Sequence, residues 1–96
     1  MKKKIYKYSV GITHGSYVIS MPKGAKILTA HQQTLDPSDR LAIWAEVNPE
    51  APEVEREIVV VWTGKEFEDQ EDLKYITTVH AIEGTIVCHI YEKLEV

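Results

Sequence analysis

The segment YITTVHAIEGTIVCHIY, residues 75–91, decides the fold class, because two runs of β-branched and aromatic residues flank Glu83 and Gly84. Two such runs around a pair of turn-forming residues predict a β-hairpin with a two-residue turn. In the register that this turn imposes, Cys88 is buried, and His80 and His89 are diagonal neighbours on the other face. The predicted facing pairs are Ala81–Ile86, Val79–Cys88, Thr77–Ile90, His80–Val87, Thr78–His89 and Ile76–Tyr91.

Upstream of this hairpin, the same alternation of apolar and polar residues recurs between turn formers. It predicts strands over residues 4–12, 17–21, 25–32, 40–47 and 57–63. The strand at 57–63 is apolar on both faces, which is typical of a central strand covered on both sides, and its second cover could be another copy of the chain. About seven strands, with at most short helical turns after Asp36 and over residues 68–73, predict one all-β domain, 1–96: a small antiparallel β-sandwich or barrel.

Size and composition exclude several classes of protein. The 96 residues suffice for one domain, and they contain no apolar run long enough to span a membrane as a helix. Residues 1–5 resemble the basic start of a signal peptide, but polar residues follow at once, so we expect a cytoplasmic protein. Cys88 is the only cysteine, which excludes an internal disulfide and agrees with that compartment.

The charge is divided unevenly along the chain. Residues 1–45 carry seven Lys and Arg against two Asp, or +5, and residues 46–96 carry four Lys and Arg against thirteen Asp and Glu, or −9, which sum to the net −4. Both sets could simply occupy solvated faces that offset one another. Alternatively, an acidic surface docks on a basic partner, or a basic patch holds an anion. The net negative charge argues against nucleic acid as a partner.

No group of side chains predicts catalysis or a cofactor. Cys88 and His89 are adjacent on a strand and therefore point to opposite faces, so His89 cannot easily activate the thiol. His80 and His89 supply only two of the three or four ligands that zinc needs, unless the fold adds His14 and His31. We therefore predict a non-enzymatic protein with no metal or cofactor.

A protein interface is the first candidate site. Tryptophans that lie off the core face, next to an acidic loop, would suit it, since aromatic residues are enriched at interface centres. The alternatives are that the domain buries both faces of its central strands and that the loop is merely solvated. The candidate residues are Trp44, Trp62, Glu66, Glu68, Asp69, Glu71 and Asp72.

An anion site is the second candidate. Residues 13–16 and 22–26 form two turns rich in glycine, hydroxyl groups and positive charge. Backbone N–H groups in such turns can hold a phosphate, and His14, Lys23 and Lys26 would line the site. The chain has no Walker-type sequence, and the alternative is two ordinary β-turns.

Five short segments carry a resemblance to a known family: residues 5–8 (IYKY), 21–28 (MPKGAKIL), 44–52 (WAEVNPEAP), 63–64 (TG) and 84–91 (GTIVCHIY). Their order resembles a family of small phage and prophage proteins of unknown function. The resemblance implies a phage or prophage origin and a role in handling the host, and it brings no catalytic residues with it.

These observations lead to one leading hypothesis and two alternatives. We expect an accessory protein that binds a host protein and interferes with it, for example in host defence, and that self-associates through an apolar sheet face. Its contact elements would be the acidic loop and the turn at 49–52. An oligomer that sequesters a nucleotide or other small anion between subunits is a different class of function. A minor virion or assembly protein is a third, and no membrane partner is expected.

Overall fold

The computed structural model describes residues 2–32, 40–68, 72–82 and 84–94. The regular elements of these residues are seven strands, which confirms the all-β prediction. They are β1 (Lys4–Gly11), β2 (Gly15–Pro22), β3 (Lys26–His31), β4 (Arg40–Val47), β5 (Glu53–Trp62), β6 (Leu73–Ala81) and β7 (Ile86–Lys93). No helix long and apolar enough to cross a bilayer is found in this part of the chain.

The strands form two antiparallel sheets that pack face to face as a sandwich. One sheet has three strands in the order β1-β4-β3, and the other has four in the order β2-β5-β7-β6. The chain passes from one sheet to the other between β1 and β2, between β2 and β3, and between β4 and β5. The prediction of a small antiparallel sandwich is therefore confirmed, and the barrel alternative is not.

Alternation along the strands decides which side chains enter the core. In β4, Leu41, Ile43 and Val47 are buried on one face, while Trp44 lies on the other. In β2, Met21 is buried on the inner face, whereas Val18 on the outer face is 62% exposed. The core joins inward residues of both sheets into one cluster: Val10, Ile12, Met21, Ala25, Ala30, Leu41, Ile43, Ala45, Val47, Ile58, Val60, Val79, Ala81, Cys88 and Ile90.

The β6–β7 hairpin has the predicted register near its turn but not at its far end. Five predicted pairs are present, from Ala81–Ile86 to Thr77–Ile90, and Cys88 is buried as expected. The sixth is wrong: Tyr75, not Ile76, faces Tyr91, because a β-bulge inserts Ile76 as an extra residue. Ile76 packs against the core instead, so the bulge converts a predicted surface position into a half-buried one.

The turn of this hairpin is closed by a hydrogen bond from the Thr85 N–H to the Ile82 carbonyl, at 3.0 Å. The strands end at Ala81 and resume at Ile86, one residue short of the predicted ends on each side. Glu83 lies outside the described residues, and Gly84 has the positive φ (82°) that a turn of this kind requires at its third position.

Strand β5 begins four residues earlier than predicted, at Glu53 instead of Glu57. Its first residues alternate between glutamates and either Val54 or Arg56, which resembles a loop in sequence, but pairing with β2 extends the strand back to Glu53. The prediction that β5 is central is confirmed, since it lies between β2 and β7.

Two smaller predictions fall partly beyond the described residues. The helical turn after Asp36 lies wholly outside them, as do residues 69–71 of the turn predicted at 68–73. Strand β3 is Lys26–His31, slightly shorter than predicted, and it contains a bulge between Ile27 and Thr29.

Candidate binding surfaces

The acidic loop connects β5 to β6, and its described residues 66–68 lie against the outer face of the four-stranded sheet. A turn at Gly64 (φ 87°), closed by a hydrogen bond of 3.0 Å from the Lys65 N–H to the Trp62 carbonyl, sends the chain back from the end of β5. At the other end of the loop, the Asp72 carbonyl accepts a hydrogen bond of 2.7 Å from the Leu94 N–H. Both ends of the loop are therefore fixed to the sheet.

Three aromatic side chains meet beneath and beside this loop, and we call them the aromatic cluster: Phe67, Tyr75 and Tyr91. The ring centroids of Phe67 and Tyr91 are 5.8 Å apart, and those of Tyr75 and Tyr91 are 5.6 Å apart with the planes at 69°. Contacts between aromatic rings at these distances add stability beyond the apolar area that they bury. Phe67 is nevertheless 48% exposed and Tyr75 is 52% exposed, so the cluster presents a large aromatic surface to solvent.

The loop also provides the cover that the apolar outer face of β5 needs. Val61 points outward but is only 3% exposed, and it lines a shallow depression of about 210 Å³ together with Phe67 and Leu73. Glu66 and Glu68 lie at the rim of the same depression, as does Glu57 from β5. A segment of the same chain thus covers the outer face of the central strand β5.

The predicted acidic residues surround the aromatic cluster as far as the structure describes them. Glu66 and Glu68 are exposed, and Asp72 is half-buried where the loop rejoins β6. Asp69 and Glu71 lie outside the described residues. We call this whole surface, the aromatic cluster with Glu57, Glu66, Glu68 and Asp72, the acidic-aromatic face.

The uneven charge of the sequence becomes a difference between the two sheets. The three-stranded sheet and the residues before it carry exposed Lys3, Lys4, Lys7, Lys26 and Arg40, with Glu46 as the acidic side chain among them. Glu46 binds Lys3 at 2.7 Å, and this hydrogen bond, with the positive charge, lowers the pKa of the Glu46 carboxyl. The outer surface of the other sheet carries the acidic-aromatic face.

The two tryptophans do not belong to one surface. Trp44 lies on the outer face of the three-stranded sheet, with its ring centroid 6.2 Å from that of His31. Trp62 packs against the core, and its indole N–H donates a hydrogen bond of 2.8 Å to the Ile12 carbonyl. The expectation that Trp62 lies off the core face is therefore wrong, because it shares strand parity with the buried Ile58 and Val60.

A chain of side-chain hydrogen bonds crosses the outer face beside the aromatic cluster. The Tyr75 hydroxyl lies 2.6 Å from Thr78 Oγ1, which lies 3.1 Å from His89 Nδ1, and His89 Nε2 lies 2.8 Å from Thr63 Oγ1. Both ring nitrogens of His89 are thus hydrogen-bonded to threonine hydroxyl groups. General-base catalysis by histidine usually needs a third group, commonly a carboxylate, to orient the ring, and His89 has no carboxylate partner among the described hydrogen bonds.

Cys88 is a core residue. Its thiol is buried, with Sγ 3.9 Å from the Ile12 carbonyl oxygen, and burial raises the pKa of the thiol. Because a thiol with a raised pKa is a poor nucleophile at neutral pH, the environment of Cys88 is that of a structural cysteine. In the part of the chain that the structure describes, no three His, Cys, Asp or Glu side chains come together to hold a metal ion.

The three predicted anion-binding residues are divided between the two ends of β2. His14 precedes the strand, and its Nδ1 accepts a hydrogen bond of 3.1 Å from the Trp62 backbone N–H. Lys23 and Lys26 follow the strand, so about 25 Å of extended chain separates them from His14, at roughly 3.3 Å per residue. A single copy of the chain does not bring the three side chains to one site.

The lysine end of β2 adjoins an ion pair that sequence analysis missed. Arg56 binds the Glu92 carboxylate in a bidentate manner, through Nε to Oε2 and through Nη2 to Oε1 at 2.9 Å, and its Nη1 donates to the Ala25 carbonyl at 2.9 Å. Glu92 is only 5% exposed. Arg56 shares strand parity with Ile58, and Glu92 with Ile90, so alternation alone could have placed both side chains on the inner face.

Two clefts open on either side of this ion pair. One, of about 990 Å³, is lined by Lys23 and Lys93, and by Glu55 and Glu57 among others. The other is lined by Lys26 and Lys74 between β3 and β6. Positive side chains therefore gather at this end of the sandwich, but carboxylates lie among them.

Comparison with known proteins places the chain in a family. A family model described as a domain of unknown function, DUF7352, matches residues 1–96. Searches among curated proteins and among solved structures find no match. The match spans the whole sequence, so the chain belongs to the DUF7352 family of domains of unknown function.

Proposed function

We propose that this chain is a non-enzymatic binding protein, whose acidic-aromatic face recognises a basic surface on a protein partner. The observation that carries the proposal is the exposure of Phe67 in the acidic loop and of Tyr75 on β6, next to Glu66 and Glu68. Aromatic side chains dominate the binding energy of many interfaces, and surrounding charges fix orientation and accelerate encounter.

The structure of the acidic-aromatic face supports the binding of a partner more than it supports catalysis. Tyr75 and Tyr91 stand on neighbouring strands, and the hydrogen bond between the Tyr75 hydroxyl and Thr78 Oγ1 limits the positions that the Tyr75 ring can adopt. Side chains held in this way lose little conformational entropy when a partner binds. The reactive groups, by contrast, do not converge: Cys88 is buried on the inner face, and His89 is held between two threonines.

The resemblance to phage and prophage proteins suggests the kind of partner. In this proposal, the protein acts in the cytoplasm of a bacterial host, where it binds a host protein with a basic surface and interferes with it, for example in defence. Opposite charge on the two sheets supports an orientation in which the four-stranded sheet faces the partner and the lysine-bearing sheet faces away.

Affinity capture from a bacterial lysate tests this proposal with matched variants. The tagged protein is compared with Phe67→Ala, with the double charge reversal Glu66→Lys and Glu68→Lys, and with the control Glu53→Lys, an exposed acidic residue at the start of β5 and outside the acidic-aromatic face. We expect one protein to be captured by the parent and by the control, but not by the two face variants. Capture should also weaken between about 50 mM and 300 mM salt, because exposed charges are screened.

The proposal fails if no captured protein distinguishes the face variants from Glu53→Lys. It also fails if the partner that does so is not basic, since the acidic residues would then have no role in recognition. Circular dichroism and an unfolding curve of each variant establish that the sandwich remains folded.

Sequestration of a small anion is a second candidate, and the lysines around the two clefts support it. Lys23 and Lys93 line one cleft and Lys26 lines the other, beside Arg56. A thermal-shift panel of nucleotides tests this candidate, because a ligand at 100 times its Kd adds about 2.7 kcal/mol of stability. A panel in which no nucleotide raises the unfolding temperature contradicts it.

A further inference from the structure

The four strands at the sheet edges differ in how they are protected from pairing with another chain. Strand β1 carries Lys4 and Lys7, and β3 and β6 each contain a bulge. Charges and bulges are the usual devices that prevent edge-to-edge association. Strand β2, Gly15–Pro22, has neither: it contains no charged residue, and its register with β5 is uninterrupted over all eight residues.

The hydrogen-bond pattern shows which groups of β2 are directed away from β5. The Lys23 N–H donates to the Pro52 carbonyl at 2.7 Å, and this pair continues the β2–β5 register. Because bonded and non-bonded pairs alternate in an antiparallel ladder, the odd-numbered residues of β2 bond to β5. The N–H and C=O groups of Ser16, Val18 and Ser20 therefore point outward from the sheet edge.

From this edge we infer that β2 pairs antiparallel with β2 of a second copy of the chain, which joins the two four-stranded sheets into one. In the register that pairs all three outward-pointing residues, Val18 lies opposite the partner's Val18, and Ser16 lies opposite the partner's Ser20. Pro22, which has no N–H, then falls outside these bonded pairs. A two-fold axis relates the copies, so the same strand supplies both sides of the contact.

Two features favour a second copy over an unrelated peptide. The pairing brings no like charges together, because β2 has none. It also places valine opposite valine at the centre, and Val18 is the most exposed of the large apolar side chains in the described residues, at 62%. Pairing would shield this side chain from water.

The pairing has a consequence for the anion site. In the same register, Lys23 lies opposite the partner's Thr13, one residue from the partner's His14. The two turns that a single copy holds about 25 Å apart thus meet at each end of the paired strands. The shared anion site rests on the second candidate function, anion sequestration, and explains why that function would need two subunits. The pairing of β2 with β2 does not depend on either proposed function.

Substitutions at Val18 test the pairing without altering the β2–β5 ladder. Val18→Pro removes an outward N–H and no bond to β5, and proline is tolerated at edge positions of this kind. Val18→Thr, the matched control, keeps the N–H and the β-branched shape. By sedimentation equilibrium we expect a dimer for the parent and for Val18→Thr, and a dimer dissociation constant weakened at least about tenfold for Val18→Pro.

Amide hydrogen exchange of the parent protein supplies a test that needs no substitution. The amides of Ser16, Val18 and Ser20 should exchange slowly at high protein concentration and quickly on dilution, whereas those of Tyr17 and Ile19 should stay protected throughout. A monomer at all concentrations overturns the inference, as does a dimer that Val18→Pro leaves intact. If Val18→Pro does not fold, Val18→Lys replaces it, because two lysines would then oppose each other.

The outcome of these dimerisation tests is distinguishable from that of the affinity-capture experiment. Phe67→Ala and the charge reversals at Glu66 and Glu68 lie on the sheet face and should leave the dimer unchanged. Val18→Pro should leave the capture of a partner by each subunit in place. For the anion site, inorganic phosphate should raise the unfolding temperature of the parent and not that of Val18→Pro. An equal effect on both proteins would separate anion binding from the pairing and refute the shared site.

Discussion

Replacement of Arg56 by alanine should be the most destabilising single change among the charged residues described. The substitution leaves the Glu92 carboxylate buried without its cation, and it also removes the donor to the Ala25 carbonyl. Loss of one partner from a buried ion pair costs about 3–5 kcal/mol. That is a large share of the roughly 5–15 kcal/mol by which a domain of this kind is stable.

A double-mutant cycle separates the contribution of the ion pair to the unfolding free energy from the effect of lost side-chain volume. Arg56→Met and Glu92→Leu together replace the ion pair by apolar side chains, and such replacements of buried pairs are often neutral or stabilising. We therefore expect each single variant to lose several kcal/mol, and the double variant to lose far less than their sum. Lys3→Ala, which removes the exposed pair with Glu46, is the control and should shift the unfolding midpoint far less than either single variant.

Urea unfolding followed by circular dichroism measures these effects. With a denaturant slope of about 1–3 kcal/mol per molar urea, the midpoint of Arg56→Ala should fall by roughly 2 M. The reasoning is refuted if Arg56→Ala is no more destabilising than Lys3→Ala. It is also refuted if the two single effects simply add in the double variant, since the side chains would then not depend on each other.

Three further predictions follow from single contacts. Trp62→Phe should cost about 1–3 kcal/mol of unfolding free energy, because the Ile12 carbonyl loses its indole donor in a partly buried site. Urea unfolding measures this loss. An unchanged midpoint would show that the hydrogen bond from Trp62 to Ile12 does not contribute to stability. Lys3→Ala should raise the pKa of Glu46 towards the ordinary value of 4.5, as measured by NMR titration. Since the folded-state pKa of Glu46 is lowered, the stabilisation from this pair is present above 4.5 and is lost as the pH falls through the lowered value. The Cys88 thiol should resist alkylation at pH 8 in the folded protein and react readily in urea, because burial raises its pKa and blocks access; rapid alkylation of the folded chain would show that it is exposed.

The fold was predictable wherever one face of a strand is uniformly apolar. In β4 the alternation of Leu41, Ile43 and Val47 with the outward Trp44 predicts the strand with the ends that the structure shows. The start of β5 was not predictable in this way, because Glu53 and Glu55 face solvent and resemble a loop. Only the pairing of this segment with β2 makes it a strand, and pairing between distant segments leaves no local signal.

The candidate surfaces were predictable in composition but not in arrangement. The sequence shows that Glu66 and Glu68 lie in an acidic loop, and Phe67 between them is the apolar residue that anchors it. It does not show that the loop folds onto Tyr91, because that contact depends on the insertion of β7 between β5 and β6. The Arg56–Glu92 pair depends on the same long-range pairing, so no inspection of either segment alone reveals it.

The position of β7 also constrains how the molecule can be made. This strand is the last of the seven in chain order, yet it is a central strand of the four-stranded sheet and bonds to both β5 and β6. The four-stranded sheet therefore cannot form completely until residues 86–93 have emerged from the ribosome, and until then the edges of β5 and β6 that bond to β7 have no partner strand. Unpaired strand edges of this kind make an incompletely folded chain prone to aggregate.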